Sequence, residues 1–224
     1  MRYHVLATDY DGTLAHDGRV DKPTLSALER LLASGRRLVL VTGREVAELE
    51  AVFPEIHFFS LVVAENGAVL YWPTTKAEKM LCKPAPAEFV QALRARGVAP
   101  LAVGRVIVAT WRPQEAKVLE TIRDQGLELQ IVFNKDAVMV LPSGVNKATG
   151  LTAALSELSL TPEQTVGVGD AENDHAFLEL CGCSAAVANA LPALKATARI
   201  VLIHDHGAGV AELIDRLIGD DSCL

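Results

Sequence analysis

The stretch Asp9–Leu14, "DYDGTL", decides how this chain is read. It closes the apolar run of "YHVLATDY", so two carboxylates, Asp9 and Asp11, stand where a strand should be ending, with Gly12 and Thr13 directly after them. Residues two apart in an extended backbone point the same way, and like charges so placed repel unless something positive sits between them. A hard cation meets that need. Asp170, in the later stretch "GDAEND", would add a third carboxylate, and Mg²⁺ takes a few such oxygen ligands together with waters and phosphate oxygens.

Outward from this point, short β-rich runs alternate with helical patterns. "KPTLSALERLLASG" reads as a helix with Pro23 at its start and Gly35 at its end, followed by a strand, "RRLVLVTG", and a helix, "EVAELEAVF". "FFSLVVAENGAVLYW" reads as two strands about a turn at Asn66 and Gly67. Later, "ATGLTAALSEL", "AENDHAFLELCG", "ALPALKATA" and "GAGVAELIDRLIG" read as helices, with strands at "QTVGVGD", "CSAAVA" and "RIVLIH". Several of these strands are apolar without alternation, as when helices cover both faces. The pattern predicts an α/β fold, a doubly wound and mainly parallel sheet.

Residues 83–142 follow a different order. "AEFVQALRARG" and "PQEAKVLETIRDQG" are helical, "GRVIVATW" is a strand, and "LELQIVF" and "AVMVLP" form a hairpin across Asn134, Lys135 and Asp136. This predicts a small α+β cap inserted into a core made of residues 1–82 and 143–224.

Ligands of an open parallel sheet gather beyond the carboxyl ends of its strands. The residues falling there are Asp9 and Asp11, then Thr42, Gly43 and Arg44, then Gly169 and Asp170, with Lys147 just before the helix that leads into the last of these strands. Asp170 and Asp174, four residues apart, either share a helix face or cap a helix N-terminus.

Composition narrows the function classes. Of 224 residues, half are hydrophobic and 22% charged, a globular composition, and the net charge of −7 argues against nucleic acid or an acidic membrane as partner. No apolar run approaches the ~18 residues of a membrane span, and the N-terminal run is too short for a signal peptide, so the expected location is cytoplasmic. Cys82, Cys181, Cys183 and Cys223 lack paired C-x-x-C spacing, which disfavours a disulfide framework or a zinc site.

With these residues in place, the chain resembles the phosphatases of the haloacid dehalogenase superfamily whose cap is inserted between the second and third motifs, such as Cof-type sugar phosphatases and archaeal-type phosphoglycolate phosphatases. "DYDGTL", "LVTGR", "SGVNK" and "GDAEND" match the four motifs in order, and "AENGA" and "ANALPALKATA" match secondary features. Tyr10 and Ala148 depart from the usual residues at their positions, and neither is a reacting side chain. The resemblance implies that Asp9 is the nucleophile that becomes an aspartyl-phosphate, and that Asp11 protonates the leaving oxygen and then activates water. It implies Mg²⁺ held by the Asp9 carboxylate, the Asp11 backbone carbonyl and Asp170, with Asp174 as a ligand or outer support. Thr42 and the amides that follow it at Gly43 and Arg44 would bind phosphoryl oxygens, Lys147 would neutralise nucleophile and phosphate, Asn173 would assist in substrate binding, and Arg44 itself would either contact substrate or phosphate or form a surface ion pair.

The expected substrate is a small phosphorylated metabolite, phosphoglycolate or a sugar phosphate, turned over by a monomer or homodimer. Phosphomutase activity and non-catalytic phosphate binding are the alternatives. Specificity belongs to the cap, where Arg105, Arg112 and Lys135 are the cations nearest strand ends or the hairpin tip, and at least one should face the active site. His175, His204 and His206 read as structural, and Trp111 either lines a ligand pocket or packs the cap, with packing the preferred reading.

Overall fold

Strands that helices cover on both faces need no polar side, and the central strands "VLAT", "RLVLV" and "TVGVG" are built that way. The computed structural model describes residues 1–220. The chain runs β1 (Val5–Thr8), α1 (Lys22–Ala33), β2 (Arg37–Val41), α2 (Val46–Val52), β3 (Leu61–Ala64), β4 (Val69–Trp72) and β5 (Ala77–Met80). It continues through α3 (Ala87–Ala95), β6 (Ala102–Val103), β7 (Val108–Trp111), α4 (Glu115–Asp124), β8 (Leu129–Asn134) and β9 (Ala137–Pro142). Last come α5 (Lys147–Glu157), β10 (Thr165–Gly169), α6 (His175–Leu180), β11 (Cys183–Ala186), α7 (Pro192–Thr197), β12 (Ile200–Val201) and α8 (His206–Gly219).

Eight strands pair in the order β12-β11-β10-β1-β2-β3-β4-β5. Neighbours from β12 to β3 are parallel, and β4 and β5 fold back antiparallel. β1 lies inside the sheet with β2 on one flank and β10 on the other, so the connections leave it in opposite directions. The crevice beyond its carboxyl end is the switch point where such sheets bind ligands. A second, antiparallel sheet, β6-β7-β9-β8, lies between β5 and α5 in sequence and packs with α3 and α4 about its own core of Phe89, Leu93, Val108, Val118, Ile122 and Val140.

Local chemistry explains the element ends. Asp21 caps α1 by accepting from the Thr24 amide at 2.9 Å, and Gly35 ends it at φ +84°. Asn146 caps α5 through a reciprocal bond with Thr149, which makes Lys147 the first residue of the helix rather than one just before it. The helix expected from "AENDHAFLELCG" is split into a 3₁₀ turn, Glu172–Asp174, and α6.

The strand expected from "GRVIVATW" begins only at Val108, because the amides of Arg105, Val106 and Ile107 bond to the Glu65 carboxylate and not to a neighbouring strand. The strand expected from "RIVLIH" shortens to Ile200–Val201. β5 and β6 carry no recognisable pattern, since every residue of both is exposed. Trp111 is 54% exposed and lines a cavity, so it does not serve as cap packing. Cys82, Cys181 and Cys183 are free thiols, and Cys223 lies outside the described residues. Among the described residues no helix is long and apolar enough to cross a membrane.

Candidate active site

β1 stops at Thr8, but the Asp9 amide still donates to the Val168 carbonyl at 3.0 Å, so Asp9 begins the turn beside β10 and is held rigidly. Its side chain is buried. The chain then turns at Gly12, whose φ is +87°, and a Cβ there would lie 2.4 Å from Asp170 Oδ2. No other residue fits this approach. Thr13 completes the wrap, its hydroxyl donating to Asp170 Oδ1 at 3.0 Å.

At the end of β10 the Asp174 carboxylate folds back over its own turn. Its Oδ2 accepts from the amides of Asp170 at 2.8 Å and Ala171 at 3.0 Å, which closes the turn before α6 without capping that helix, and Asp170 lies outside both the 3₁₀ turn and α6, so the pair shares no helix face. Gly169 leaves the space, since a Cβ there would lie 2.7 Å from Asp174. Lys147, buried at the start of α5, then joins the two motifs. Its Nζ donates to Asp9 Oδ1 at 2.6 Å and to Asp174 Oδ1 at 2.5 Å.

Burial holds the Asp9 carboxyl well above the usual carboxylate range, with Lys147 pulling it down and Asp174 and Asp170 pushing it up. Burial alone would lower the Lys147 pKa, but Asp174 and Asp9 outweigh it and raise it, so the ammonium stays charged. Asp9, Asp170 and Asp174 each present an oxygen within 4.8 Å of the others, and among the described residues no other His, Cys, Asp or Glu group is close enough to hold a metal ion. Three buried carboxylates with oxygen donors only suit a hard divalent cation.

Asp9 and Asp11 also find positive charge within the chain itself. Both residues line the same cavity, but each carboxylate has its own cationic partner. Arg44 grips Asp11 with two bonds, Nε to Oδ2 at 2.6 Å and Nη2 to Oδ1 at 2.7 Å, and Asp11 brings no carboxylate to the metal-holding group. The bond to Asp11 raises the Arg44 pKa further. Thr42 is buried at the end of β2 and its hydroxyl accepts from the Arg44 amide at 3.1 Å, while Gly43 faces Met139 across the cavity. Asn173 stands apart from the cavity lining, with its amide donating to Asn66 Oδ1 at 3.0 Å.

The second sheet roofs the cavity, which measures about 470 Å³. Its contribution is apolar at Ile107, Ala109, Trp111 and Met139, and polar at the hairpin tip, Asn134 and Lys135. Of the three cations expected to compete for this place, Lys135 takes it. Its Nζ lies 2.9 Å from Asp170 Oδ2, and its amide donates to Glu172 at 3.1 Å. Arg105 pairs with Glu78, and Arg112 lies over the Phe133 ring. His175 and His204 lie at the surface, and His206 stacks on His16 while its Nδ1 meets the Gly12 carbonyl. Sequence reasoning missed Thr13, which its own motif signalled, and Glu65, which stands inside the quoted "AENGA" but received no role there.

Known proteins similar to this chain fall in one family. The sequence profile of the family described as haloacid dehalogenase-like hydrolase matches residues 6–95 and 102–214. The chain is 30% identical to a phosphoglycolate phosphatase of Methanothermobacter thermautotrophicus, over 96% of this chain and 98% of that one. It is 31% identical to a phosphoglycolate phosphatase of Halorubrum lacusprofundi, over 93% and 95%. The fold is similar to a haloacid dehalogenase-like hydrolase from Bacteroides thetaiotaomicron, with a TM-score of 0.81 at 20% identity, covering 96% of this chain and 99% of that one.

Proposed function

Because the chain belongs to the haloacid dehalogenase-like hydrolase family and is a phosphatase, we propose that it is a Mg²⁺-dependent phosphomonoesterase that passes the phosphoryl group through Asp9. The observation that carries this reading is the buried Asp9 carboxylate, 2.6 Å from Lys147, lining a roofed cavity.

Asp9 attacks phosphorus while Asp11 gives a proton to the leaving oxygen, and Asp11 then takes a proton from the water that hydrolyses the aspartyl-phosphate. Both Asp11 oxygens accept from Arg44, so this pair opens as Asp11 takes up and gives the proton. A carboxylate approaching a phosphate dianion is repelled, and the fixed charge of Lys147 opposes that repulsion without reorganising. Thr42, Gly43 and the Arg44 amide bind phosphoryl oxygens, with Asn173 as support. Asp9, Asp170 and Asp174, with the Asp11 carbonyl, would hold Mg²⁺, which when bound supplies further neutralisation of phosphoryl charge.

Residues 83–142 serve as the cap and choose the substrate. The curated relatives above are named for phosphoglycolate, and Lys135 at the hairpin tip is a cation suited to a substrate carboxylate. We therefore place a small phosphorylated acid, phosphoglycolate first, ahead of neutral sugar phosphates. A screen of phosphorylated metabolites with Mg²⁺, scored both for free phosphate and for isomerised ester, tests the reading. Phosphate release led by phosphoglycolate is expected. Isomerised ester without phosphate release would make the protein a mutase, and no turnover at all would overturn the proposal.

A further inference from the structure

Glu65 occupies the turn after β3 at φ +49°, with Asn66 following at +56°. The left-handed region is unfavourable for a residue with a long side chain, and Gly or Asn would ordinarily stand there. The side chain shows what the backbone conformation supports. It is 1% exposed, and its carboxylate accepts three successive backbone amides of the second sheet's entry segment, Arg105 at 2.9 Å, Val106 at 2.7 Å and Ile107 at 2.8 Å. Gly104 provides the room, since a Cβ there would lie 2.9 Å from the Glu65 carboxyl carbon and both its oxygens.

The backbone of the same turn holds the other side of the cavity. The Glu65 amide donates to the Arg44 carbonyl at 3.0 Å, and the Asn66 amide donates to the Thr42 carbonyl at 2.9 Å. One residue thus ties the loop carrying Thr42, Gly43 and Arg44 to the segment that begins the cavity roof at Ile107 and runs on through Ala109 and Trp111. Charged hydrogen bonds to buried amides are strong, and losing the acceptor leaves three donors without a partner.

We infer that Glu65 is a positioning residue that seats the cap on the phosphate-binding loop, so that only substrates enclosed by the cap depend on it. Its kinetic consequence rests on the phosphatase reading above, whereas its structural consequence does not. The test compares wild type with Glu65→Gln, which keeps the shape but replaces an acceptor oxygen with an amide donor. A second variant, Gly104→Ala, disturbs the same contact from the cap side without touching the core.

In both variants the amides of residues 105–107 should exchange hydrogen for deuterium roughly tenfold faster or more, while those of β1 and β10 keep wild-type protection. For phosphoglycolate, or the best substrate of the screen, kcat/KM should fall roughly 10- to 100-fold, the scale of a displacement near 1 Å in a substrate-holding group. Turnover of p-nitrophenyl phosphate, whose ring the closed cap does not need to enclose, should stay within about threefold. Unchanged exchange at residues 105–107 would overturn the inference. So would an equal loss on both substrates accompanied by loosened protection throughout the core, the mark of a merely structural residue. If wild type hydrolyses nothing, the reading of the cavity fails and the exchange measurement alone decides for or against Glu65.

Discussion

Lys147 Nζ lies 2.6 Å from Asp9 Oδ1 in a space closed to solvent, and the same ammonium reaches Asp174. One cation therefore restrains two of the three carboxylates that crowd the end of the parallel sheet.

Replacing that cation should expose how much it restrains. Lys147→Met leaves Asp9 and Asp174 buried without it, and breaking a buried pair from one side costs about 3 to 5 kcal/mol. Because Lys147 has a raised pKa, its contribution is fully present below the ordinary lysine value and is lost only as pH rises through the folded one. At neutral pH the variant should therefore lose the whole contribution, seen as a lower Tm, and regain part of it on acidification as Asp9 protonates. Turnover should fall by at least ~10². A Tm equal to wild type at neutral pH would contradict this account of the site.

The raised pKa of Asp9 gives a signed metal prediction. Without metal, the site favours protonated Asp9, so stability from this group is present below the ordinary carboxylate pKa and is lost as pH rises through the raised value. A divalent cation binds only the deprotonated group, and it removes the penalty. Mg²⁺ should therefore raise Tm more at about pH 8 than at about pH 5.5. Chelator should abolish activity and Mg²⁺ restore it, with Ca²⁺ a poor replacement because of its looser coordination. A Mg²⁺ effect on Tm that shrinks with rising pH would contradict the assignment.

Lys135 is the cap's cation at the site, and it touches Asp170 rather than a surface acid. Lys135→Ala should cost about 1.5 to 3 kcal/mol in selectivity for phosphoglycolate over a neutral sugar phosphate, the range of a charged hydrogen bond. Arg112→Ala should leave selectivity unchanged, because Arg112 lies over Phe133. An unchanged ratio for Lys135→Ala would shift the substrate reading to neutral sugar phosphates recognised through hydroxyls.

Gly12 tests the packing around Asp170. Any side chain there enters the carboxylate at a backbone conformation that L residues avoid, so Gly12→Ala should cut turnover by roughly 10² or more, the scale for displaced reacting groups. Full activity in this variant would mean that the loop does not need its observed approach.

The parts of this site that were legible in the sequence are those tied to strand ends. Asp9, Thr42 and Asp170 follow apolar runs whose ends can be read, and topology then brings them together. Side-chain pairing was not legible. Nothing local says that Arg44 takes Asp11 while Lys147 takes Asp9, because the partners are 33 and 138 residues apart. The late start of β7 had the same origin. "GRVIVATW" has the composition of a strand throughout, and the carboxylate that captures its first amides comes from residue 65. β5 escaped notice because an exposed edge strand has no buried face to produce a pattern.

The proposed reaction turns on Asp9 as the carrier of the phosphoryl group. Wild-type protein quenched in acid during turnover, digested and analysed by mass spectrometry should show one phosphoryl group on the peptide containing Asp9, and that adduct should disappear under hydroxylamine, which cleaves acyl phosphates. Asp9→Asn should lack the adduct and lose at least ~10³ in rate, about 4 kcal/mol of barrier, while keeping its fold by circular dichroism. Phosphate found on a different residue, or near-normal turnover by Asp9→Asn, would contradict the account.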